Sequence, residues 1–102
     1  MYLDANVLIF ANFTQGPQGT RARKLLQEIS DGRRAITSAL TVDEVMWFII
    51  KNKLRQELRS TVSDIYGIKN LEVKEVPALA PLRALEYMER HNLKPRDAMH
   101  LA

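Results

Sequence analysis

Cysteine is absent from this 102-residue chain, which excludes a disulfide framework and any thiolate metal site. That absence fits a reducing compartment, and a cytoplasmic location is the expectation. No apolar run approaches the roughly 20 residues needed to span a bilayer, so no membrane partner is expected. The start has neither the basic segment nor the long apolar core of a signal peptide, and the mature protein is expected to begin at Met1. Repeats, low-complexity tracts and internal linkers are also lacking. The length suits one domain, not two. An apolar content of 46% with 26% charged residues is ordinary for a soluble globular protein.

Strong charge of either sign is missing too. The formal net charge of +3 is a weak pointer to an anionic partner. If three of the 12 acids were committed to a metal site, 15 basic residues would face the remaining 9. That balance suits a polyanion such as RNA; the plain alternative is a slightly basic surface.

What is present is organised around MYLDANVLIF. Tyr2 and Leu3 are strand formers, Asp4 follows, and Val7, Leu8 and Phe10 begin an apolar pattern. A short strand, an acid and an immediate helix describe the carboxyl edge of an open α/β sheet, where ligands bind. Read alone, Asp4 is a helix N-cap, accepting the free amides of a first turn. The case for chemistry depends on other acids reaching the same place.

The run 13–19, with two glycines and a proline, is expected to form a loop, and Thr20 to cap the next helix. That helix places Ala22, Leu25, Leu26 and Ile29 at i, i+3, i+4 and i+7 and ends at Gly32. A second strand is expected over 34–37. The very apolar helix after it turns Val42, Val45, Met46 and Ile49 inward and Trp47 and Phe48 away, which implies burial on a second side. Another helix over about 53–66 carries Leu54, Leu58, Val62 and Ile65, closed by Gly67 and Asn70. LEVKEV, 71–76, reads as an edge strand. Pro81 opens a helix with Leu82, Leu85 and Met88 on one side, and PRDAMHLA from Pro95 forms a final helical segment. Strands separated by helices need crossovers, so the order β-α-α-β-α-α-β-α-α predicts a parallel three-stranded sheet with helices packed around it.

Three acids then share one address. Asp4 follows the first strand, Glu44 is expected in the first turn after the second, and Asp97 in the first turn of the last helix. Carboxylates crowded together repel one another, and a divalent cation resolves the repulsion. Magnesium and manganese favour such oxygen ligands and keep waters that can act as nucleophiles. Each acid also has a structural reading: Thr41 and Glu44 have capping-box spacing, and Asp97 suits a helix dipole.

The segments LDANVLI, ITSALTVDEV and LKPRDAMHLA, in this order, resemble the first three motifs of the PIN domain family. Within it they are most similar to the VapC-type ribonuclease toxins of prokaryotic toxin–antitoxin pairs. The resemblance spans the whole chain. It implies a PIN-like parallel α/β fold and an acidic pocket that binds Mg²⁺ or Mn²⁺ and hydrolyses RNA phosphodiesters. By position, Asp4, Glu44 and Asp97 would be the catalytic metal ligands, with Asn6 a polar neighbour of the pocket. It further implies an RNA substrate, an antitoxin partner that silences the enzyme, and a homodimer. Family members continue into a further strand bearing a fourth acid. The expectation is therefore a single domain over 1–102, incomplete at its C-terminal end, with a first strand whose open edge invites self-association or costs stability. His100, one turn after Asp97, reads as a packing or neighbouring residue and His91 as a surface one.

Two rival readings remain. A catalytically inert relative would keep the fold and a protein-binding surface. A phosphotransferase of the haloacid dehalogenase type also uses an aspartate after its first strand, but needs a second acid two residues on, where this chain has Asn6.

Overall fold

Extended backbone at the start of the chain is brief, because Asp4 caps a helix at once. Helix α1 is Ala5–Phe13, α2 Pro17–Ser30, strand β1 Ala35–Ser38 and α3 Ala39–Lys51. A 3₁₀ turn at Arg55–Glu57 leads into α4, Leu58–Tyr66, followed by β2, Leu71–Lys74, and α5, Ala80–His91. The structure, a computed structural model, describes residues 1–91 together with Lys94 and Met99. The expected helical segment from Pro95, with Asp97 and His100, lies outside the described residues.

Strands β1 and β2 pair in parallel, Ala35 with Leu71 through Ser38 with Lys74. On the other side of β1 the opening segment adds a single parallel bridge, Tyr2 to Ile36, held by Leu3 N–H to the Ile36 carbonyl and Ile36 N–H to the Met1 carbonyl, both 2.8 Å. The order across the pairing is therefore β2, β1, opening segment. The described sheet has only two strands, however, not three. The reason is Asp4, which takes the chain into α1 before the first strand can extend. The buried Thr37 hydroxyl reinforces this short pairing by donating to the Leu3 carbonyl at 2.7 Å.

The core is built where α1, α2, α3 and α4 pack together beside the sheet. Leu3, Leu8, Ile29, Val45, Ile49 and Ile65 are almost wholly buried. Each contributes about 1.5–3 kcal/mol of apolar burial. Phe48 closes part of the second apolar side of α3: its ring lies 5.7 Å from that of Phe13 on α1. Trp47 stays 62% exposed, and Met46, expected to face inward, is 37% exposed beside α4. No helix among the described residues is long and apolar enough to cross a membrane.

Three further expectations are corrected. Helix α2 begins at Pro17, within the run expected to be a loop, because proline fits a first helical position and Gly16, at φ +84°, supplies the turn before it. Thr20 is thus inside the helix, its hydroxyl donating to the Gly16 carbonyl at 3.0 Å. The helix expected over 53–66 is split, its first turn being the 3₁₀ segment. Helix α5 turns the small Ala80 and Ala84 inward, while Leu82 and Leu85 are 64% and 50% exposed. The Ala80/Ala84 face, with i, i+4 spacing, permits closer packing than a leucine stripe.

Candidate functional site

In a parallel sheet the carboxyl ends of the strands share one edge, and here two helices start from it. Asp4 lies two residues beyond the Tyr2–Ile36 bridge on one strand, and Ser38 two residues beyond it on the other. Asp4 is the N-cap of α1, its Oδ1 accepting the Val7 N–H at 3.2 Å. Ser38 is the N-cap of α3, its Oγ accepting the Thr41 N–H at 3.2 Å. Two helix N-termini at one edge present partial positive charge, which favours carboxylates and phosphates alike.

Asp4 is exposed on this edge, so its structural and chemical readings are compatible: one hydrogen bond to Val7 leaves most of the carboxylate's acceptor capacity for a ligand. Asn6 is exposed in the first turn of α1. Glu44 is half-buried on α3, in the second turn and not the first. The capping box read from Thr41 and Glu44 does not form, because Ser38 takes the cap. Thr41 is fully buried and its hydroxyl meets the Tyr2 hydroxyl at 2.9 Å. Asp97, the third expected ligand, lies outside the described residues, as does His100; His91 stacks on Tyr87 at 6.5 Å at the end of α5.

One acid at this edge was passed over in the sequence. Glu75 directly follows β2 and lines a 130 Å³ cavity with Tyr2, Ser38, Leu40, Pro77 and Ala80. The rule that drew attention to Asp4, an acid just after a strand, applies to it equally. Among the described residues no group of three acid or histidine side chains could hold a metal ion. The oxygen donors of Asp4 and Glu44 suit a hard cation by type, and a complete ligand set needs a further donor.

A short parallel sheet flanked by helices, with acids and helix starts at its carboxyl edge, defines an α/β protein of the open-sheet type. The chain belongs to the PIN domain family, whose sequence profile matches residues 1–102. Among solved structures it is similar to the crystal structure of Mycobacterium tuberculosis VapC20, described as a Sarcin-Ricin loop cleaving toxin. The TM-score is 0.77, with 16% identity over 98% of this chain and 77% of that one. At that identity the likeness is one of fold. No curated protein matches the chain in sequence.

Proposed function

We propose that this chain is a metal-dependent ribonuclease of the PIN type that acts as the toxin of a toxin–antitoxin pair. The observation that carries the reading is the family match over the whole chain, joined to the position of Asp4 at the start of α1 on the carboxyl edge. Asp4, Glu44 and Asp97 are the proposed metal ligands, and Asn6 a polar neighbour. When bound, Mg²⁺ or Mn²⁺ supplies a Lewis acid and lowers the pKa of a coordinated water. The chain's own part is to hold and orient. Asp4 is oriented by its hydrogen bond from the Val7 amide, Glu44 lies in the second turn of α3, and the N-termini of α1 and α3 favour the charge of a scissile phosphate. The basic surplus of the sequence favours association with RNA. The proposal includes a cytoplasmic location, where substrate and antitoxin would be met.

The test is cleavage of labelled RNA by the purified chain with Mn²⁺, Mg²⁺ or EDTA. Cleavage with either cation and none with EDTA is the expected result. A folded protein that binds neither cation nor cuts RNA would instead be the inert relative.

A homodimer is part of the same reading, and the outward leucines on and just before α5 support it. Leu79, Leu82 and Leu85 form an exposed apolar strip, the kind of surface that marks association sites. Leu82→Glu with Leu85→Glu is expected to shift the light-scattering mass from dimer to monomer without lowering Tm, since neither side chain is in the core. A wild-type monomer at micromolar concentration would remove the dimer from the account.

A further inference from the structure

The two arms that carry Asp4 and Glu44 are joined by a ring of hydroxyl groups. The Tyr2 hydroxyl lies 3.3 Å from Ser38 Oγ, to which it can donate. It also meets the Thr41 hydroxyl at 2.9 Å, a contact in which either oxygen can be the donor. The ring closes through the Thr41 amide, which donates to Ser38 Oγ at 3.2 Å. Hydrogen bonds linked in this way polarise one another; of the three residues Thr41 is fully buried, while Tyr2 is 46% exposed.

The position of this ring gives it leverage. Tyr2 and Asp4 are two residues apart on extended backbone and so share a face. Thr41 and Glu44 are three apart on α3 and so are neighbours on the helix surface. The ring thus ties the strand end beside one acid to the helix turn beside the other. The main-chain bonds from Met1 and Leu3 to Ile36 fix the strand's register. The Tyr2–Thr41 contact adds a side-chain tie from that strand to the first turn of α3.

We propose that Tyr2 is a positioning residue for the candidate cation site, its hydroxyl holding the Asp4 and Glu44 arms in fixed register through Thr41 and Ser38. The proposal rests on the reading of Asp4 and Glu44 as metal ligands. Tyr2 itself touches neither the cation nor RNA in this account. It acts by keeping the two arms in one arrangement before the cation binds.

The measurement is Mn²⁺ affinity by titration calorimetry on the intact chain, with no RNA present. Tyr2→Phe removes the hydroxyl and keeps the ring; Thr41→Val removes the partner hydroxyl at nearly constant volume. Each is expected to weaken Mn²⁺ binding by about tenfold, in the range seen when groups supporting a metal ligand are lost. The double variant should be no weaker than Tyr2→Phe alone, because that change already removes the Tyr2–Thr41 contact. Thr41→Ser keeps the hydroxyl and should retain wild-type affinity. Thermal unfolding in EDTA confirms that each variant is folded at the titration temperature. Undiminished affinity in Tyr2→Phe, or losses that add in the double variant, would overturn the positioning role while leaving the metal site standing. Absence of Mn²⁺ binding by the wild-type chain would overturn the metal-site reading and the positioning role together.

Discussion

Asp4→Asn is expected to leave the fold intact and to lower metal-dependent RNA cleavage by about a hundredfold or more, beyond the effect of losing a group that merely supports a ligand. The prediction follows from the two tasks that meet on this side chain. As N-cap of α1, Asp4 needs an oxygen that accepts from Val7 N–H. Asparagine supplies one and ranks with aspartate as a cap. As a cation ligand, Asp4 needs a negative charge, which asparagine lacks. Asp4→Ala removes both and should cost about 1 kcal/mol of stability in addition to activity. Cleavage rate, Mn²⁺ affinity and Tm measured on both variants separate the roles. If Asp4→Asn cuts RNA at the wild-type rate and only Asp4→Ala is impaired, through instability, then Asp4 is a cap and nothing more.

The same residue shows what was legible in the sequence. An acid between two strand formers and an apolar helix start fixes a β-to-α turn at a sheet edge, and the structure has that turn. The brevity of the first strand was not legible, because the strength of the cap, and not β propensity, decides where the strand stops. Glu44 was misplaced by one turn for a related reason. ITSALTVDEV offers two hydroxyl caps three residues apart, Ser38 and Thr41. Thr41 is instead buried, with its hydroxyl on that of Tyr2, 39 positions away in sequence. Spacing along a helix cannot report a partner on another strand.

The apolar faces tell a similar story. In α5, Ala80 and Ala84 compete with Leu82, Leu85 and Met88 for the inward side, and hydrophobicity alone favours the leucines. The helix instead packs its small residues inward. In α3 the exchange between Met46 and Phe48 depends on Phe13, which reaches across from α1. The whole-chain family match and the carboxyl-edge location of Asp4 needed no such partner, because motif order and the β-to-α turn are local properties.

Gly19→Ala is expected to destabilise the protein by about 1–3 kcal/mol, the usual cost of forcing an extra methyl into a filled site. Helix propensity argues the other way, since alanine in a helix interior is favoured over glycine by about 1 kcal/mol. Geometry decides between them. A Cβ built on Gly19 would lie 1.8 Å from the Thr14 carbonyl oxygen and 2.8 Å from its carbon, both backbone atoms that cannot rotate aside. Thr14 is the C-cap of α1, and its carbonyl also accepts from Arg23 Nη1 at 3.1 Å, so the turn between α1 and α2 is held down onto α2 at this point. Admitting the methyl requires α1 and α2 to separate, and α1 carries the buried Leu8. In a domain of this size each kcal/mol lowers Tm by about 4–8 °C. Gly67→Ala is the matched control: its φ is negative, the nearest atom to its Cβ would be the Ser63 carbonyl oxygen at 3.3 Å, and its Tm should move little. A Tm for Gly19→Ala equal to or above wild type would mean that propensity wins and that the Thr14 turn yields without cost.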